Sequence, residues 1–202
     1  MKIKPVIAVA LLAAAALIVV CVGCKKTESD TEAVDVTKDA PYWPAPAFKL
    51  TDQDGKAFSS DQLKGKTWIA TLFFTSCSGP CPMMSGRLED IQGAVKDPNV
   101  MLVSFSIDPK RDTPQALKDY ANRMDADPAR WRFLCGTTAD VQKVADGLKL
   151  VYDPTIVTNG QIMHDTRFLL IDKAGQVRGI YHTDDNADIE KLKSDARKLA
   201  AL

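Results

Sequence analysis

Thr67-Trp-Ile-Ala-Thr-Leu-Phe-Phe74 runs without a break into Thr75-Ser-Cys-Ser-Gly-Pro-Cys-Pro82. The first eight residues are apolar and rich in β-branched and aromatic types, the pattern of a central strand buried on both faces. Met84, Leu88, Ile91 and Val95 then recur at helical spacing, so a helix begins near Cys81. Cys77 and Cys81 therefore lie where a buried strand meets a helix. Pro82 falls at the first helical turn, where a missing N–H costs little. Gly79 and Pro80 let the loop fold back, so that both sulfurs can face one point. Free N–H groups at the helix start favour thiolate over thiol.

Outward from this stretch the pattern repeats. Val100-Met-Leu-Val-Ser-Phe-Ser-Ile107 reads as a second buried strand, and Pro114 opens a helix carrying Leu117, Tyr120 and Met124. Trp131-Arg-Phe-Leu134 is a short strand, and Thr137 or Thr138 starts a helix with Val141, Val144 and Leu148. Ile162-Met163 and Arg167–Ile171 are extended, Gly175 turns the chain into Gln176–Tyr181, and Ile189, Leu192, Ala196 and Leu199 give a closing helix. Upstream, Asp54-Gly55 between Lys49–Asp52 and Lys56–Phe58 signals a hairpin, and Ser59 or Ser60 can cap the short turn holding Leu63. Parallel strands first, antiparallel strands last and helices on both faces is the thioredoxin order. The fold expected is α/β, a central mixed sheet flanked by helices. Asn159-Gly160 adds a hairpin over Thr155–His164, before the penultimate strand.

Lys2 and Lys4 precede an uncharged apolar run from Pro5 to Gly23, followed by Lys25 and Lys26. A positive start, an apolar middle and a small residue before a cysteine describe a bacterial secretory signal. Val22-Gly23-Cys24 resembles the end of a lipoprotein cleavage site with Cys24 lipidated, although Cys21 stands where such sites carry leucine. The other reading is an uncleaved anchor, the run being about the ~20 residues a span needs. Both put the folded part in the cell envelope, outside the cytoplasm and attached to a membrane. Residues 25–40 are polar, without aromatics or period, and read as a tether; the domain follows over 41–202.

Lysine plus arginine and aspartate plus glutamate each number 26. Removing Lys2 and Lys4 with everything before Cys24 leaves 24 basic against 26 acidic residues, so no basic surface argues for nucleic acid. A mean hydropathy of −0.12 argues against a polytopic membrane protein. Five cysteines are too few and too unevenly spaced for a disulfide scaffold. Thioredoxin-like reductases use Cys-x-x-Cys, one residue shorter than the Cys77–Cys81 spacing. A peroxidatic site wants threonine three residues before its cysteine, where Cys81 has Ser78.

Phe74-Thr-Ser-Cys-Ser-Gly-Pro-Cys-Pro82 resembles the F-x-x-C-x-x-x-C-P motif of the Sco/SenC family, the copper chaperones of cytochrome c oxidase assembly. Ser106-Ile-Asp-Pro-Lys-Arg-Asp-Thr-Pro114 is similar to that family's S-[IV]-D-P-x-R-D-T-P segment. His164-Asp-Thr-Arg-Phe-Leu-Leu-Ile-Asp172 resembles its H-x-x-x-x-x-L-I-D strand. The likeness spans about residues 42–200.

The resemblance implies that Cys77, Cys81 and His164 bind copper together. Thiolates suit Cu(I), and an added imidazole also accommodates Cu(II), whereas a structural zinc site wants a fourth protein ligand. In thioredoxins the corresponding loop carries a cis-proline; here it is His164-Asp165-Thr166. His182, the other of two histidines, reads as a surface residue. Asp108 is either an outer partner of the metal site or a cap of its own turn, and Asp112 is read as a cap for the turn and the helix at Pro114. Cys135 reads as a buried thiol where the family usually has threonine. Met83, Met84 and Met163 flank the site, with Met84 on the helix's core face.

Between the cysteines the family often carries an aspartate; here the triplet is Ser78-Gly79-Pro80. That change bears on how the family's two activities divide. The first expectation is a copper-binding assembly factor, not an enzyme, that passes copper to the copper-accepting subunit of a terminal oxidase. Another envelope copper or thiol protein is the alternative recipient. The second is an envelope thiol–disulfide oxidoreductase with Cys77 attacking and Cys81 resolving. A peroxidase-like enzyme is the third.

Overall fold

The computed structural model describes residues 34–158 and 160–202. Strand β1 (Trp43–Pro44) is followed by β2 (Lys49–Asp52) and β3 (Ala57–Ser59). Between the latter two, Asp52 Oδ1 accepts the N–H groups of Asp54 at 3.0 Å and Lys56 at 2.9 Å. Gly55 supplies the positive φ of 74° that this turn needs. β4 (Thr67–Phe73) and β5 (Val100–Ser106) are buried at every residue, so both faces of the sheet centre are covered. They pair in parallel from Thr67 opposite Val100 to Phe73 opposite Ser106.

Helix α1 (Cys81–Ala94) connects β4 to β5, and α2 (Pro114–Arg123) connects β5 to the parallel strand β6 (Trp131–Cys135). Helix α3 (Thr138–Leu148) leads into a separate two-stranded sheet, β7 (Tyr152–Thr158) and β8 (Gln161–His164). β9 (Phe168–Ile171) and β10 (Gln176–Tyr181) follow, and α4 (Asn186–Ala201) closes the chain. The main sheet has eight strands in the order β1-β10-β9-β4-β5-β6-β2-β3. β9 runs antiparallel to β4, and β10 antiparallel to β9. The carboxyl ends of β4 and β5 thus open on one edge, the usual place for a site in such sheets.

The elements match the sequence reading closely, because long apolar runs and 3.6-residue periods leave little ambiguity. Residues 34–40 differ from a free tether. Val36 is 1% exposed in the core, and Lys191 and Arg178 donate to the carbonyls of Val34 and Asp39. The signal segment, Cys24 and the start of the tether lie outside the described residues, as does Asn159. Among the described residues no helix is long and apolar enough to cross a membrane.

Candidate metal centre

β4 ends at Phe73, and Phe74 is still fully buried. From there the chain must leave the core without stranding its amides. Thr75 donates its N–H to Asp112 Oδ2 at 3.1 Å, and its hydroxyl donates to the same carboxyl. Ser106, at the end of β5, donates its hydroxyl to Asp112 as well and accepts the N–H of Asp108 at 3.2 Å. Asp112 is 1% exposed and stitches the carboxyl ends of β4 and β5 together. Burial raises its carboxyl above the ordinary value, against the pull of these donors.

The Cys77 N–H then returns to the Phe74 carbonyl at 3.2 Å. Four residues on, Cys81 is the first residue of α1, whose N-terminal turn carries no acidic residue and no side-chain cap. Cys81 is completely buried, while Cys77 is slightly exposed. Burial pushes the Cys81 thiol well up, and the Cys77 sulfur beside it adds to the rise. Burial thus opposes the thiolate that the helix end alone would favour.

His164 ends β8, directly opposite Tyr152 of β7. Its ring stands edge-on to Phe74, centroids 5.8 Å apart at 84°. Nδ1 lies 2.7 Å from the carbonyl of Asp165, which assigns the proton to Nδ1 and leaves Nε2 an acceptor. Nε2 is 3.4 Å from Cys81 Sγ, within reach of a thiol S–H. Burial lowers the imidazole below its ordinary value of 6.5, opposed by Asp165. A neutral imidazole with one nitrogen held by a carbonyl is how a metal-ligating histidine is prepared. The ligand atoms of Cys77, Cys81 and His164 all lie within 4.8 Å of one another. That donor set, two thiols and one imidazole, fits a soft or borderline metal ion.

Other residues singled out in the sequence fall elsewhere. Asp108 is 4% exposed and its carboxylate pairs with Arg111 Nε; it is not among the clustered donors. Asp112 does not cap the helix at Pro114: Thr113 is the N-cap, accepting from Ala116 N–H at 3.3 Å. Cys135 ends β6 opposite Thr51, buried and with its thiol raised by burial. Met84 is buried, while Met83 and Met163 are exposed. His182 is exposed, its N–H held by Asp188. The clamp made by Asp112 was invisible in sequence, since Thr75 lies 37 positions away.

Fold and site together define a class: a thioredoxin-like domain in which a Cys-x-x-x-Cys loop faces a hairpin histidine. The chain belongs to the SCO1/SenC family, whose family model matches residues 38–201. It is similar to a SCO1/SenC family lipoprotein from Bacillus anthracis, with 35% identity and a TM-score of 0.73 over 79% of this chain and 97% of that one. It is also similar to Bradyrhizobium japonicum ScoI with copper bound, with 27% identity and a TM-score of 0.66 over 77% and 99%. BsSco, a member of the Sco family of cytochrome c oxidase assembly proteins in which a disulfide switch was identified, is 29% identical. Its TM-score is 0.69 over 82% of this chain and 99% of BsSco.

Proposed function

We propose that this domain binds copper through Cys77, Cys81 and His164 and delivers it during assembly of the copper site of a terminal cytochrome oxidase. The recipient in this reading is the oxidase's copper-accepting subunit. The observation that carries the proposal is the unprotonated Nε2 of His164 beside the sulfurs of Cys77 and Cys81. A disulfide exchanger does not need that nitrogen. Support also comes from the copper bound to Bradyrhizobium ScoI and from BsSco's place among oxidase assembly proteins. In this reading Cys24, or the apolar run before it, fixes the domain to the bacterial envelope membrane, as the lipoprotein from Bacillus anthracis suggests.

The chemistry assigned to the residues is ligand exchange. Copper displaces the Cys81 proton and any proton on Cys77, so uptake strengthens as pH rises. The two thiolates alone satisfy Cu(I), and the imidazole adds the ligand that Cu(II) requires. The site lies at the mouth of the sheet, with Cys77 more exposed than Cys81, so a partner's ligand reaches Cys77 first.

The second reading is a thiol–disulfide oxidoreductase, favoured by the same exposure difference and by the disulfide switch of BsSco. Titration of the reduced full-length chain with Cu(II), followed by optical absorption, separates the two. A one-to-one complex with thiolate-to-copper charge-transfer bands, lost in His164→Ala, is expected. Oxidation of Cys77 and Cys81 to a disulfide in both proteins, with no coloured complex, would replace the copper reading by the redox one.

A further inference from the structure

Among the described residues, two hydrogen bonds join the β7–β8 hairpin to the cysteine loop. One is the contact of Cys81 with His164. The other runs from the Ser78 N–H to Gln161 Oε1 at 3.1 Å. Gln161 opens β8 three residues before His164, and Ser78 directly follows Cys77. The second bond therefore ties the two halves of the donor set together at residues that are not donors themselves.

The hairpin needs such a tie. Its base is pinned: Asp165 donates its N–H to Val151 O at 2.7 Å and its carboxylate holds Arg167. Beyond the base, five of the seven residues of β7 are exposed. The pairing of β7 with β8 is interrupted between Asp153 and Val157. On β8, Ile162 packs against the core, but a two-stranded ribbon with one strand so exposed is marginally stable by itself. The tip-side end of β8 is held to the body by the packing of Ile162 and by the Gln161 hydrogen bond to Ser78.

We propose that Gln161 is a positioning residue whose carbonyl oxygen latches Ser78 and holds His164 over the cysteines, thereby setting the preference for Cu(II) over Cu(I). This rests on the copper reading above. Cu(I) is satisfied by the two sulfurs, which have anchors of their own in the Cys77 N–H bond to Phe74 and in the start of α1. Cu(II) requires the imidazole, so its apparent affinity scales with the fraction of molecules in which the hairpin is closed. Releasing the latch lowers that fraction and leaves the thiols in place.

Gln161→Leu keeps the shape and removes the acceptor; Gln161→Glu keeps an acceptor oxygen for the Ser78 N–H. In the full-length chain, Gln161→Leu is expected to weaken Cu(II) binding about fivefold, the ratio corresponding to one hydrogen bond of ordinary net strength. Cu(I) affinity should stay within about twofold, and Gln161→Glu should bind Cu(II) at least as well as wild type. In the metal-free proteins, amide exchange at Ser78 should speed up in Gln161→Leu and not in Gln161→Glu. Equal losses of Cu(I) and Cu(II), or Leu and Glu variants that behave alike, overturn the latch. Failure of the wild type itself to form the coloured Cu(II) complex overturns the copper reading instead. The Ser78 exchange rates still decide whether the latch exists.

Discussion

Cys77 and Cys81 hang from the most buried part of the molecule, whereas His164 stands on a strand pair that is mostly exposed. β4 and β5 bury every residue, and Asp112 binds their carboxyl ends to the start of the cysteine loop. β7 exposes five of seven residues and breaks its ladder between Asp153 and Val157. The difference separates two requirements of the copper carrier proposed above. The sulfurs must be presented at a fixed spacing, and the third ligand must be able to come and go. A rigid root serves the first, and a thin hairpin serves the second.

The strongest way to break this contrast is to attack the root. Phe105 is fully buried in β5, opposite Leu72, with its ring edge-on to Phe48 at 5.2 Å. Phe105→Ala removes a large side chain and leaves a cavity, so unfolding should become easier by about 3–5 kcal/mol. Urea denaturation with an unchanged slope would register that loss as stability alone. A change below about 1 kcal/mol would mean that the sheet end is not the firm element.

Asp112→Ala comes next. It strands the Thr75 N–H and the hydroxyls of Thr75 and Ser106, which all donate to the carboxyl. The expected loss is about 2–3 kcal/mol, with faster amide exchange at Thr75. An unchanged Thr75 exchange rate would show that the loop is anchored by something else.

The same variant carries a pH signature. Burial raises the Asp112 carboxyl above its ordinary 3.8, so in the window above 3.8 the folded state holds more protons than the unfolded one. Stability from this group is present below 3.8 and is lost as pH rises through the folded value. The gap between wild type and Asp112→Ala should therefore be widest on the acid side and narrow towards neutrality. A gap that widens with pH would mean that the three donors outweigh burial and that the carboxyl is lowered.

How the two regions were read from sequence follows the same division. The root was legible: an unbroken apolar run into Cys77, and Met84, Leu88 and Ile91 at helical spacing, all three buried. The hairpin was legible through Asn159-Gly160 and the place of His164. What escaped depended on long-range partners. Asp112 beside Thr113-Pro114 reads as a helix cap, but Thr113 takes that position and frees Asp112 for Thr75. Val36, one of two valines in a polar stretch, gives no period. Its burial accompanies bonds from Arg178 and Lys191, 139 and 157 positions downstream of the carbonyls they hold. β1 is two residues long and ends in Pro44, too short for any pattern to show.

The smallest expected effect lies at the other end of the contrast. Ile156 is 45% exposed and sits in the interruption of the β7–β8 ladder. Ile156→Ser should change stability by less than about 0.5 kcal/mol. The measurement that sharpens the comparison is amide exchange in this variant and in wild type, with and without copper. In the metal-free chain the amides of β7 and β8 should exchange far faster than those of β4 and β5, because only the latter need global unfolding to open. If Cys77, Cys81 and His164 capture copper as proposed, the ion closes the hairpin, so protection should rise in β7 and β8 and stay nearly constant in β4 and β5. Uniform slowing across both regions would instead mean that the ion stabilises the whole domain, and that root and hairpin open as one unit.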